Sequence, residues 1–200
     1  MTQPASRRTP RRRGFTIPEI LTAFALVGIV AGFTVPRLDW ARWEADAGVR
    51  QIRVALQGAQ RLALTQQSTV VVGIDSANAR VRILEDVNGN LAADAGERVT
   101  WRPMEGTVRF TAPPTLLPGA VAGAGSGAAL MNVGPRAVDG YPSLVFRRDG
   151  SASASATIYV STTRRRDVEY RALVITQSTG RIDWWRAAGR APLTWIRGSI

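Results

Sequence analysis

Arg13-Gly14-Phe15-Thr16-Ile17-Pro18-Glu19 leads directly into a run from Ile20 to Val35 that carries no charged side chain. A helix from Phe15 to Pro36, rising 1.5 Å per residue, would be about 33 Å long, against about 30 Å of bilayer hydrocarbon. The spacing therefore predicts a membrane-spanning helix over 15–36. Arg7, Arg8, Arg11, Arg12 and Arg13 precede it, so the positive-inside rule puts the N-terminus in the cytoplasm and exports everything after Pro36. Glu19 is the exception within this apolar stretch. A carboxylate in lipid is costly, and that cost calls for a partner.

Simpler targeting signals fit the same residues less well. A secretory signal needs a small-x-small cleavage site directly behind its apolar core, and the nearest, Ala45-Asp46-Ala47, lies beyond Arg37, Asp39, Arg42 and Glu44. Arg7-Arg8 is followed by Thr9-Pro10-Arg11, a poor fit to a twin-arginine signal. A plain signal anchor accounts for the apolar run but not for Glu19.

Residue order and topology together resemble the prepilin leader of type IV pilins and type II secretion pseudopilins. The resemblance implies that Gly14 precedes the cut, that Phe15 becomes a methylated N-terminus and that Glu19 is the fifth mature residue. It also implies a prepilin peptidase acting on the cytoplasmic side, an inner-membrane assembly platform, and other pilins as filament partners. Cleavage would create an amine on Phe15, and a carboxylate one turn later could pair with that amine or with a neighbouring subunit's. In a low dielectric such a pair is favourable only when both charges are satisfied together. Glu19 could equally cap the first turn, where the helix dipole favours an acid. Gly28 and Gly32 weaken the helix interior or permit close helix packing.

Two hundred residues, 45% of them hydrophobic, suffice for one exported domain after the leader and span are set aside. Cysteine and histidine are both absent, which removes disulfides, Cys-His and Ser-His nucleophile pairs and the common zinc sites. Paired carboxylates that would suggest hydrolysis are not apparent, so no enzyme is expected. The formal charge is +11, and the leader holds five of those charges, leaving +6 after cleavage at Gly14. All the basic residues are arginine. Without a lysine there is no phosphate-binding glycine loop, and energy for assembly must come from partner machinery.

Leu38, Ala41, Ala45, Val49, Ile52, Leu56, Ala59 and Ala63 alternate spacings of three and four, an amphipathic stripe. It is expected to extend the apolar helix over 37–65 as one long element. Strands follow at Thr69–Asp75, Arg80–Glu85, Arg98–Arg102, Thr107–Thr111, Ser143–Arg147, Thr157–Thr162, Glu169–Thr176 and Arg181–Arg186, punctuated by Gly, Pro, Asn and Asp. Residues 113–142 read as a long Gly/Ala/Pro loop with one weak strand near Ala129–Val133. The expected fold class is α+β: a long N-terminal helix, transmembrane in its first half, packed on an antiparallel β-sandwich spanning 66–200. That layout resembles the GspH/FimT subgroup, with Phe146-Arg147-Arg148-Asp149-Gly150 and Ala172-Leu173-Val174-Ile175 before Thr179-Gly180-Arg181 as its closing strands.

Two further sites stand out. Asp86, Asn88, Asn90, Asp94 and Glu97 are spaced like the first, third, fifth, ninth and twelfth ligands of an EF-hand loop, a set suited to structural calcium. Leu91 occupies the place of the sharp-turn glycine, and the flanks read as strands, so a polar hairpin loop held by Asx turns fits the same residues. The other is a basic surface of Arg147, Arg148, Arg164, Arg165, Arg166, Arg171, Arg181, Arg186 and Arg190, with Trp184, Trp185 and Trp195 near in sequence. Arginines for phosphates and aromatics for base stacking would suit DNA. The resemblance implies a Gly-Arg-x-Arg motif, but Gly180-Arg181-Ile182 is followed by Asp183. The expected function is a minor subunit of a pseudopilus or pilus, with a DNA-binding FimT-like minor pilin for DNA uptake as the alternative.

Overall fold

Ala41, Ala45, Val49, Ile52, Leu56, Ala59 and Ala63 are all buried, on one stripe of a helix, Trp40–Gln66. The computed structural model describes residues 15–34, 40–119, 137–164, 167–189 and 192–198. It resolves into two compact units, 1–39 and 40–200. The first contains α1 (Ile17–Thr34). The second contains α2 (Trp40–Gln66) and, among the described residues, ten strands.

The expectation of one continuous helix through the membrane to about Thr65 is corrected here. Two separate helices stand in its place, and among the described residues no helix is long and apolar enough to cross a membrane. The sequence between them holds Pro36, which lacks a donor and disfavours helical geometry at the residue before it. At 1.5 Å per residue, the 18 residues of α1 extend about 27 Å, short of the hydrocarbon thickness that the count from Phe15 to Pro36 had satisfied.

The strands form two five-stranded antiparallel sheets. One has the order β3 (Arg98–Pro103), β2 (Arg80–Asp86), β1 (Thr69–Asp75), β6 (Tyr141–Phe146), β5 (Ala137–Val138). The other runs β10 (Thr194–Arg197), β9 (Ile182–Ala188), β8 (Asp167–Ile175), β7 (Ala156–Arg164), β4 (Val108–Arg109). In β1, Val72 sits opposite Ile83 on one side and Leu144 on the other. The β1–β2 turn is an Asx turn, in which Asp75 Oδ1 accepts from the Asn78 amide at 3.1 Å.

Strand alternation then decides what each sheet buries. Val70, Val72 and Ile74 of β1, Ile158 and Val160 of β7, and Leu173 and Ile175 of β8 join the α2 stripe in one core. Burial of each such Leu, Ile or Val contributes about 1.5–3 kcal/mol. The intervening residues face outward into smaller clusters, Val71 with Leu84, Val138 and Val145 on the first sheet, and Tyr159 with Leu117 and Ala172 on the second.

The strand expectations hold with shifted ends, except at the hairpin around Gly140. Ala137–Val138 and Tyr141–Phe146 are paired strands where a loop to 142 was expected, and β10 was not anticipated. The weak strand near Ala129–Val133 lies outside the described residues.

Candidate functional site

α1 begins with a capping box. Thr16 stands at the N-cap, and its backbone N–H donates to Glu19 Oε2 at 3.4 Å, the reciprocal bond that a Thr-x-x-Glu pattern provides. Pro18 in the first turn gives up no hydrogen bond there. The capping role foreseen for Glu19 is thus present, and nothing in it prevents the carboxylate from taking a second donor. Past the cap, α1 is apolar on every side: Ile17, Leu21, Phe24, Leu26, Val27 and Val30 are all largely uncovered, as is Phe15 just ahead of the cap. A helix hydrophobic all round requires apolar surroundings. Gly14, the expected residue before the cut, lies outside the described residues.

The Asp86–Glu97 loop brings together all five side chains read from its spacing, but it turns them on one another and on its own backbone. Asp86, fully buried, accepts from the Gly89 and Leu91 amides at 2.7 and 3.0 Å. Glu97 accepts from Val87 and Asp94 N–H at 2.9 and 3.1 Å. The side-chain amides of Asn88 and Asn90 both donate to Asp94 Oδ2, and these bonds hold the Asp94 carboxyl below its usual range. Leu91 takes the left-handed φ of +61° that the missing glycine would have supplied. That conformation costs about 1–2 kcal/mol, offset by the Asp86 bond and by packing of the leucine against the Val71–Leu84 cluster. The donor set fits an Asx-turn loop closed by hydrogen bonds. Among the described residues no group of three or more Asp or Glu is placed to hold a metal ion.

Among the described arginines of the expected basic surface, Arg147 and Arg148 are exposed, while Arg171, Arg181 and Arg186 are tied to the fold in different ways. Arg171 is 0% exposed: its Nε donates to Asp46 Oδ1 at 2.7 Å and its Nη1 to Glu169 Oε2 at 2.8 Å, tying β8 to α2. Asp183 accepts from both Arg181 and Arg197, at 3.0 and 2.8 Å. Burial opposes its charge, but these two arginines outweigh it and lower the carboxyl below its usual range. Arg186 is half-buried on β9, opposite Arg171 in the register. Trp184 packs against the main core, while Trp185 and Trp195 pack with Tyr159, so none is a free stacking platform. Arg165, Arg166 and Arg190 lie outside the described residues, as does the side chain of Arg164.

Sequence reasoning missed a second arginine-aromatic cluster. On the outer face of the first sheet, Arg80 lies 3.8 Å over the Trp101 ring and pairs with Asp75, while buried Arg82 pairs with Asp139 beside Tyr141. Register alone could have suggested it, since Arg82 faces Trp101 across β2 and β3. Asp139 also accepts from the Ala93 amide at 3.3 Å, which docks the 86–97 loop on the β5–β6 turn. Also missed was a groove along α2, ending in Trp43, Glu44 and Glu105 on one side and in Arg50, Arg98 and Arg102 on the other. No protein-family model matches this chain, and no curated protein or solved structure is significantly similar to it.

Proposed function

We propose that this chain is a minor pseudopilin or pilin subunit, cut between Gly14 and Phe15 by a prepilin peptidase, methylated on Phe15 and assembled into a type II secretion pseudopilus or a type IV pilus. The observation that carries the reading is α1 itself: a helix apolar on all sides, entered through a basic leader and carrying a single carboxylate, Glu19, in its first turn. Apolar surroundings are supplied by the bilayer before assembly and by the helices of neighbouring subunits afterwards. The reading puts the protein at the bacterial inner membrane before it joins the filament.

The mechanism is polymerisation, with no catalytic turnover. In water, a helix like α1 keeps its apolar side chains wet, and packing it among copies removes that surface at about 25 cal/mol per Å2. Glu19 adds selectivity. One of its oxygens accepts the Thr16 N–H, and the amine freed on a neighbouring Phe15 is the cation that would pair with the carboxylate in a low dielectric. The DNA-uptake alternative is not adopted, because Asp183 draws in Arg181 and Arg197 and the tryptophans are packed.

Intact mass of the protein extracted from cells tests the reading. The expected mass lacks residues 1–14 and gains one methyl group; a polypeptide that begins anywhere except Phe15 would refute it. Glu19→Ala is expected to keep that processing and to lose filament incorporation.

A further inference from the structure

We infer that the flank of α2 is a docking surface for a second copy of this chain, built from two adjoining hollows of opposite charge. The first, about 350 Å3, is lined by Trp43, Ala47, Gly48, Glu44 and Glu105, with Glu44 Oε2 already accepting from the Thr107 hydroxyl at 2.7 Å. The second, about 660 Å3, has Val54, Ala59, Leu62 and Ile83 as its floor and Arg50, Arg98 and Arg102 at its rim, with Glu85 3.8 Å from Arg98. Gln51 is the saddle between them: its side-chain amide donates to the Pro103 carbonyl at 2.7 Å and accepts from the Glu105 amide at 3.4 Å. All of these residues belong to the unit 40–200.

Part of the apolar surface of this flank lies outside the core. Trp43 is 63% and Val54 68% exposed, and with Ala47 and Gly58 they form a second stripe at helical spacing, apart from the one buried in the core. Exposed apolar side chains in hollows rimmed by charge favour an interaction site. Small side chains at Ala47 and Gly58 leave room for a helix to approach closely.

Charge complementarity identifies the occupant. A partner that is acidic at one end and basic at the other satisfies both hollows, and the flank of a second copy has that pattern. Two copies with α2 antiparallel put the Glu44–Glu105 end of each over the Arg98–Arg102 end of the other, and both contacts form at once. A staggered stack makes one such contact per junction and extends. Copies lying parallel and in register would set like-charged ends together, so the same charges select both partner and alignment. This surface requires neither cleavage at Gly14 nor Glu19, so it stands or falls apart from the filament reading.

The test uses whole chains in density-matched mild detergent, with sedimentation velocity as the readout. Wild type is expected to self-associate at low salt and to weaken as salt screens the contact. Arg102→Glu and Glu105→Arg, both at exposed positions, are each expected to lower the association constant about tenfold or more. The decisive sample is their equimolar mixture, because the reversed basic end of one variant now matches the reversed acidic end of the other. Association returning toward wild type in the mixture supports the contact, and a folding defect could not produce that recovery. The inference is overturned if wild type stays monomeric at low salt, if either reversal leaves association unchanged, or if the mixture recovers nothing. Glu19→Ala is expected to keep the contact.

Discussion

Asp46→Ala is expected to destabilise the sheet domain more than removing the arginine that Asp46 holds. The reason is which group is left behind. Arg171 is 0% exposed, and without Asp46 its Nε loses a charge-assisted bond at 2.7 Å. The lost bond costs about 1.5–3 kcal/mol and the stranded donor about 1–3 more, for a total near the ~3–5 kcal/mol typical of a broken buried pair. Arg171 already has one buried nitrogen, Nη2, without a protein partner, and Glu169 and the Tyr170 carbonyl are all that would remain to it. Arg171→Met presents the opposite case. Asp46 and Glu169 are 29% and 27% exposed, so water can solvate the freed carboxylates, and methionine fills much of the vacated volume. That change is expected to cost about 1–3 kcal/mol. In the double variant the stranded charge disappears, so Asp46→Ala with Arg171→Met is expected to be more stable than Asp46→Ala alone. Urea unfolding of all three variants, followed by tryptophan fluorescence, gives the comparison. Equal losses in the two single variants, or a double variant at their sum, would refute the reasoning.

Acid should weaken the fold through two carboxyls. Burial resists the charge of Asp75, but hydrogen bonds from Asn78 and Arg80 outweigh it and lower its pKa, as the two arginines do for Asp183. A depressed folded pKa means that the stabilisation is complete above the unfolded value, near 4, and is lost as the pH falls below it toward the folded one. Stability measured from pH 6 down to 2 should therefore decline below about pH 4, and Asp75→Asn should flatten that decline while lowering the plateau; an unchanged slope would contradict the assignment. The Asp86–Glu97 loop, closed by its own amides, is expected to keep the same melting temperature in EDTA and in millimolar calcium, whereas Asp86→Ala should cost about 1–3 kcal/mol by removing the buried acceptor of the Gly89 and Leu91 N–H groups. A rise in melting temperature with calcium would show that the hydrogen-bonded loop yields to an ion.

Period and punctuation made much of the sheet domain legible. The α2 stripe repeats at three and four because one face must reach the core, and Thr69–Asp75 is β1 to the residue. The alternation at β7 and β8 is as clear, since each buries every second side chain against the same helix. The short pieces were harder to find. Ala137–Val138 is two residues beside a proline-containing partner, and Thr194–Arg197 earns its place only by pairing with β9. Their stability comes from neighbours distant in sequence, and local propensity carries little of that. The arginines were misread for a related reason. Composition says that an arginine is charged, but whether it reaches solvent depends on what the register sets beside it, and Arg171 meets Asp46 across 125 positions of chain.

The division of the helices follows from a competition that the apolar stripe alone conceals. Hydrophobic spacing continues without interruption from the apolar run through Leu38 to Ala63, so a count of periodic residues favours a single rod. Periodicity, however, reports only which faces want burial; it is blind to the backbone. At Val35-Pro36 the lost donor and the ring clash oppose a helix by about 3 kcal/mol, while continuing it would gain roughly one hydrogen bond, worth about 1 kcal/mol. The two stripes answer to different partners: α2 to the sheets of its own unit, and α1 to whatever apolar medium receives its exposed side chains. Replacing Pro36 with alanine reverses the sign of that local balance without touching either stripe.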